Sequence, residues 1–293
     1  MHYICQQTVA ISSHMLHQYV HHALLMSHFV TVLSLYHMAG TVESQLLKLN
    51  GLFAVRKPSG TTSADVIREL KRRLCRDTGE RFRSGRKSKV KIGHGGTLDK
   101  HASGVLVIGI GNGTKELGKY LKGNKRYIGS GCLGQETNTY DSSGVVTGEL
   151  PHSHVTREAL EDILKKFTGN IMQVPPIYSA LKVNGKRMSS LVQQGIPVEA
   201  KPARNVKIHG IQCLEYDLPH FKIDVQCGGG VYIRSLIHDI GKALGTCAHM
   251  VSLERTQQGP FTLSEHALFE EDWNLQTITH ALQIFHNMKD IDR

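Results

Sequence analysis

Residues 104–110, GVLVIGI, form an uninterrupted apolar run of strand length. A run with no polar side to turn toward water predicts a strand buried on both faces, in the interior of a sheet. Immediately before it stands GHGGTLDKHAS, residues 93–103, where glycines at 93, 95 and 96 precede a single aspartate, Asp99. Glycine allows backbone to approach a ligand closely, and a rigid strand behind such a loop would hold it in place. A carboxylate there is either a turn residue or a reagent, and composition leaves both open.

The rest of the chain alternates helix and strand signals. LFAVRKPSG reads as a short strand closed by a proline turn. Thr62 or Ser63 caps a helix through about Cys75, with Val66, Ile67, Leu70 and Leu74 on one face. Thr114 to Leu121 reads as a short helix, KRYIGSGCLG as a strand and YDSSG as a turn. TREALEDILKKFTGN is an amphipathic helix capped by Thr156 and stopped at Gly169. FKIDVQC alternates at period two, a strand with one buried face. YIRSLIHDIGKAL is a helix that turns Ile233, Leu236, Ile237, Ile240 and Leu244 inward. Residues 174–204 are rich in turn residues and basic groups and predict a protruding element.

Charge narrows the function classes. The chain of 293 residues carries 35 Lys and Arg against 25 Asp and Glu, a net charge of +10, which suits a polyanionic partner. Residues 68–91 hold eleven Lys or Arg against Glu69, Asp77 and Glu80, a density that favours phosphate contact over a merely solvated loop. The six cysteines are scattered without a C-x-x-C pair, and the eighteen histidines form no H-E-x-x-H pattern, so no metal site is expected. Gly109, Gly111 and Gly113 lack the third glycine of a dinucleotide fingerprint, GNGTK is not a phosphate-binding P-loop, and no G-x-S-x-G elbow occurs. Residues 1–42 contain no charged side chain except histidine, and none of their apolar stretches reaches the roughly 18 to 20 residues of a membrane span. Residues 1–49 are expected to be an N-terminal extension outside the fold, with Met38 as an alternative start.

Several segments, in order, resemble one family. GHGGTLDKHASGVL is similar to the G-H-x-G-x-L-D-x-x-A-x-G-x-L loop of the TruB family of pseudouridine synthases. VRKPSGTTS resembles that family's K-P-x-G-x-[ST]-S segment, and KRYIGSGCLGQETNTYDSSG its K-R-Y segment and following turn. VPPIYSALKVNGKRM resembles its P-P-x-[YF]-S-A-[LV]-K segment, and GGGVYIRSLIHDIG its G-x-Y-[IV]-R-[ST] segment. The wording of the loops is nearest the eukaryotic TruB1-type branch. The resemblance covers roughly residues 50–262.

The resemblance implies a mixed α+β pseudouridine synthase fold, a large mainly antiparallel sheet with flanking helices and the site in a cleft. It places a catalytic domain over residues 50–275, with a basic arm at 76–91, a thumb at 174–204 and a tail at 276–293, and no C-terminal RNA-binding (PUA) domain. The implied activity is isomerisation of uridine 55 in the tRNA T-loop, with T-loop-like sites in mRNA as further substrates, by a monomer working without metal, redox cofactor or membrane. On this likeness Asp99 is the nucleophile, Tyr127 the candidate general base and Arg234 the partner that fixes the carboxylate's aim. His94 positions the extruded nucleotide, Asp141 lies near the base edge, and Tyr232 is a pocket wall or support. Lys182, Lys186, Arg187, Lys201 and Arg204 are candidate RNA contacts on the thumb, and Lys87, Lys89 and Lys91 on the arm. Whether Asp99 attacks C1′ or C6, or works through a glycal, is not readable from the residues. Lys100 stands where many bacterial members have proline, which predicts a less stiff loop, and Asn138 where aspartate is common.

Two other classes fit parts of the same sequence: a non-catalytic protein that binds or folds RNA in the same cleft, and a guide-dependent synthase acting on rRNA. Nucleus and cytoplasm are the expected compartments, with no convincing signal separating them from the mitochondrion. Reversing the charge of residues 81–91 is expected to weaken RNA binding and reduce its salt slope by about one unit for each phosphate no longer neutralised. A salt titration of tRNA binding with an unchanged slope would count against that role.

Overall fold

The computed structural model of the chain describes residues 48–79 and 91–291. Met38, most of the expected extension, and Lys87 and Lys89 of the basic arm lie outside the described residues. The chain enters with β1 (Gly51–Lys57), crosses through α1 (Ser63–Asp77), and returns by a short β2 (Ile92–His94) to β3 (Ser103–Ile110). The apolar run is β3, buried at every residue from Gly104 on. Leu106, Ile108 and Ile110 pack beneath α1 with Phe53 and Val55, whereas Val105 and Val107 pack on the opposite face with Leu52, Ala54 and Phe261. Side chains alternate across a pleat, so a strand covered on both faces is apolar throughout.

Thr62, not Ser63, caps α1: its side chain accepts from the Asp65 amide while the Asp65 carboxylate accepts from the Thr62 amide. Beyond β3 the expected single helix is divided, a 3-10 segment (Gly111–Glu116) leading into α2 (Leu117–Lys122). Next come β4 (Lys125–Leu133) and the ribbon β5 (Gln135–Thr137) with β6 (Val146–Glu149). Helix α3 (Arg157–Lys166) follows, capped by Thr156, and then β7 (Gly169–Gln173). The thumb segment forms a small hairpin, β8 (Lys182–Val183) and β9 (Lys186–Arg187), and α4 (Met188–Gln193). A long hairpin of β10 (Arg204–Asp217) and β11 (His220–Cys227) leads to α5 (Ile233–Ala243), and the chain closes with β12 (Ala248–Gln258), β13 (Phe261–Thr262), β14 (Ala267–Leu268) and α6 (Leu275–Ile291).

The main sheet runs β14-β1-β3-β12-β4-β11-β10-β7, with β13 paired to β12 and β2 to β3. Pairing is antiparallel except at β1·β14 and β3·β12, as the mainly antiparallel expectation has it. One face is covered by α3 and α5, whose Leu160, Leu164, Leu236, Ile237 and Ile240 pack on Phe221, Ile223 and Val225. Strand β12 is bulged opposite β4 between Arg255 and Gln257. The extra residue, Thr256, leaves Arg255 and Gln258 both buried.

The C-terminal segment expected as a tail is structural. Ile278 and Leu282 on α6 pack into the α1 cluster, and Phe285 stacks on Phe261 beyond β1. Trp273, just before it, is 2% exposed and donates its indole N–H to Leu268 O at 3.0 Å. Residues 275–285 therefore close one end of the core, and a boundary at 275 cuts through packed elements. Ile278→Ala is expected to lower unfolding free energy by about 2–5 kcal/mol in urea melts, where an exposed tail would give no change.

Candidate active site

The glycine loop is held by buried donors. Lys57 at the end of β1 is fully buried, and its Nζ donates to Pro58 O, Lys100 O and Ala102 O at 2.8, 3.2 and 2.6 Å. Ser63, freed from capping, accepts from the Leu98 amide and donates to Leu98 O. Arg255, 1% exposed, donates to Val105 O at 2.7 Å and Gly96 O at 3.1 Å, and Gln258 donates to Gly95 O at 2.8 Å. Gly104 has φ +105°, and a Cβ there would collide with the carbonyl of Arg255, so only glycine lets β3 pass this close to β12. The Lys100 carbonyl, which proline would equally offer, is held by Lys57 Nζ and by the Gly60 amide.

The result is one carboxylate held in place yet open. Asp99 is 40% exposed at its side chain, and its Oδ2 accepts from Arg234 Nε at 2.8 Å. Arg234 lies on the first turn of α5, 3% exposed. Its other nitrogens donate to Thr139 O at 2.9 Å and Tyr178 O at 2.8 Å. Asp141 Oδ2 stands 3.7 Å from the same Nε, and its Oδ1 accepts from Thr139 Oγ1, Ser143 N and Ser143 Oγ. A planar guanidinium satisfied in this way has little freedom left, so it fixes the direction of Asp99. Asp99, Asp141, Tyr178 and Arg234 line a cleft of ≈ 630 Å³ together with Lys100 and Ser189, of a size suited to one extruded nucleotide.

Tyr127 on β4 faces Arg255 directly across the strand pair. Burial pushes the phenol's pKa up and the Arg255 charge pulls it back, leaving a protonated phenol at neutral pH beneath the Asp99 loop. His94 ends β2 with Nδ1 buried and unbonded. Burial lowers its pKa, and the charges of Arg255 and Arg187 lower it further, so the imidazole is neutral. Arg187 thus carries the thumb's charge to within electrostatic range of His94.

The other expected residues are placed as follows. Lys182, Lys186 and Arg187 are exposed on the β8–β9 hairpin, Lys201 is half-buried, and Lys91 is exposed beside β2. Arg204 is engaged within the fold: it donates to Gly230 O at 2.6 Å and stacks over the Tyr232 ring. Tyr232 supports the site as N-cap of α5, its backbone gripped at both polar groups by Gln173. Asn138 accepts from the Val145 amide and closes its turn. Sequence reasoning missed Lys57 and Arg255. Lys57 sits inside a segment that resembles the family and Arg255 beyond the last of them, and nothing in a linear reading shows a strand-end lysine or a β12 arginine pointing inward. Among the described residues no group of side chains could hold a metal ion.

Comparison with known proteins identifies the family. Residues 83–233 match the model of the TruB family pseudouridylate synthase N-terminal domain, and residues 234–291 that of the tRNA pseudouridylate synthase B C-terminal domain. The chain is 53% identical to the pseudouridylate synthase TRUB1 of Mus musculus over 245 residues, covering 83% of this chain and 72% of that one. It is 41% identical to the tRNA pseudouridine synthase B of Francisella tularensis subsp. novicida, covering 83% and 78%. Among solved structures, a Cbf5-Nop10-Gar1 complex matches with TM-score 0.56 and 30% identity over 79% of this chain, which spans only 55% of that longer chain. The fold is the pseudouridine synthase fold, and the chain belongs to the TruB family of pseudouridine synthases.

Burial lowers the Lys57 pKa from its ordinary 10.5 to about 8. Between those values the unfolded chain holds a proton that the folded chain has lost, so wild-type stability rises as pH is raised through that window. Lys125, also lowered to about 8, contributes the same sign. Lys57→Met is expected to flatten the rise, read from urea midpoints between pH 8 and about 10. An unchanged slope would mean that Lys57 does not titrate there.

Proposed function

We propose that this chain isomerises uridine to pseudouridine in tRNA, at position 55 of the T-loop, with hairpins of the same shape in mRNA as a second substrate set. The observation that carries the reading is Asp99, fixed by buried Arg234 and still open to a nucleotide-sized cleft, in a chain of this family. In the isomerisation the N1–C1′ bond breaks, a C5–C1′ bond forms, C5 loses its proton and N1 gains one. Asp99 is the nucleophile, and its covalent bond is made and broken within one cycle, so no external reagent is consumed.

Each remaining residue has a role set by its environment. Arg234 aims Asp99. Tyr127, a neutral phenol with a raised pKa, balances the two proton transfers by giving its proton to N1 of the released base and taking the one that leaves C5. His94, neutral, offers a stacking face that does not compete with the RNA phosphates for charge. Lys182, Lys186 and Arg187 stand on the exposed hairpin above, where phosphates of a folded loop would pass.

Unmodified tRNA incubated with the wild type is expected to gain pseudouridine at the T-loop uridine, mapped by its carbodiimide adduct. Asp99→Asn should fall below about a thousandth of the wild-type rate while binding tRNA with similar affinity. Tight binding with no product from either protein would move the reading to a non-catalytic RNA-binding role.

A further inference from the structure

Behind the Asp99–Arg234 pair lies a second contact that none of the site roles above uses. Tyr140 sits between Thr139, whose carbonyl accepts from Arg234, and Asp141, whose carboxylate faces the same guanidinium. Its φ is 61°, the left-handed region that a bulky residue occupies only where its surroundings hold it there. Its amide donates to Thr137 O and its carbonyl accepts from the Met250 amide, so the backbone is tied on both sides.

The side chain is tied too. The Tyr140 ring stacks on the His238 imidazole, centroids 4.0 Å apart and planes 16° from parallel. His238 is 4% exposed and lies one turn beyond Arg234 on α5, on the same helix face. Its Nδ1 is buried without a hydrogen bond, 3.6 Å from Glu136 Oε2. Burial and the Lys242 charge lower the His238 pKa against the pull of Glu136 and a backbone bond at Ala248, so the stack joins two neutral rings. One helix face therefore grips the same turn twice, through Arg234 on the Thr139 carbonyl and through His238 on the Tyr140 ring.

We infer that Tyr140 and His238 are positioning residues for the isomerisation: their stack sets where the 139–141 turn lies against α5, and through it the aim of Arg234 on Asp99. The catalytic half of this inference rests on the proposed function, and the geometric half does not. If the turn drifts by about 1 Å, the Thr139 carbonyl leaves its donor and the guanidinium turns, an error that costs catalysis roughly 10- to 100-fold.

The test compares Tyr140→Gly and His238→Ala, which remove the stack, with Tyr140→Phe and His238→Phe, which keep two stacked rings. Glycine adopts the required φ freely, so a loss in Tyr140→Gly belongs to the ring and not to backbone strain. Two readouts are taken: kcat and KM on unmodified tRNA, and the NMR signal of the Arg234 Nε–H, assigned by its disappearance in Arg234→Lys. The stack-removing variants should lower kcat by roughly 10- to 100-fold with KM unchanged and shift the Arg234 signal, and the phenylalanine variants should restore most of both.

The Nε–H of Arg126, paired with Asp224 on the other side of the sheet, is the control and should not move. If both signals move in Tyr140→Gly, His238→Ala decides by the same two signals. Wild-type kcat with an unshifted Arg234 signal in Tyr140→Gly overturns the inference. Should the wild type convert no uridine at all, the proposed function fails, and the Arg234 signal alone still decides whether the stack sets its aim.

Discussion

The site depends on buried backbone carbonyls that must find donors away from water. Residues 95–105 bring carbonyl after carbonyl into the interior, and each left unpaired would cost about 1–3 kcal/mol. The donors come from far along the chain: Lys57 from β1, Ser63 from α1, Arg255 and Gln258 from β12. Lys57, Lys125 and Arg255 bond only carbonyls in the interior, with no carboxylate within ion-pair distance among the described residues. A cation satisfied by carbonyls fixes backbone without adding a second carboxylate to the loop, so Asp99 remains its single one.

Around that loop three elements converge on one guanidinium. The loop supplies Asp99, the turn after β5 supplies Thr139 and Asp141, and the base of the thumb supplies Tyr178. Removing one acceptor leaves a buried charge partly unpaired, which costs far more than the net worth of the pair. The thumb is thus not merely tethered by its sequence neighbours. Its base is bonded to the same side chain that aims the carboxylate, so the cleft's outer wall and Asp99 are set by one residue.

What the sequence makes legible follows local physics. The all-apolar run can only be a strand covered twice, and β3 is that strand. The Thr62 and Thr156 caps lie where the capping chemistry places them. Asp99 and Arg234 are visible through the motif resemblance, and the structure brings them together across 135 residues. Lys57, Arg255 and the Tyr140–His238 stack are not visible, because each gains its meaning from partners distant in the chain. A lysine before a proline reads as a surface turn until its Nζ is seen among three carbonyls. The bulge at Thr256 leaves no mark in the sequence, yet it turns Gln258 inward beside Arg255. Helix α6 reads as a tail because its apolar residues match surfaces contributed by β1 and α1, some two hundred residues earlier.

The interior cations have a consequence for how the protein senses ionic strength. Charges on the exposed hairpin are screened over about 8–10 Å at physiological salt, and their reach shortens as salt is added. Lys57, Lys125 and Arg255 lie inside, where mobile ions do not enter, so their bonds to backbone carbonyls are screened far less. Added salt therefore weakens the field of the exposed hairpin while leaving the interior grip on the backbone in place, which separates the protein's outward charge from its inward scaffold.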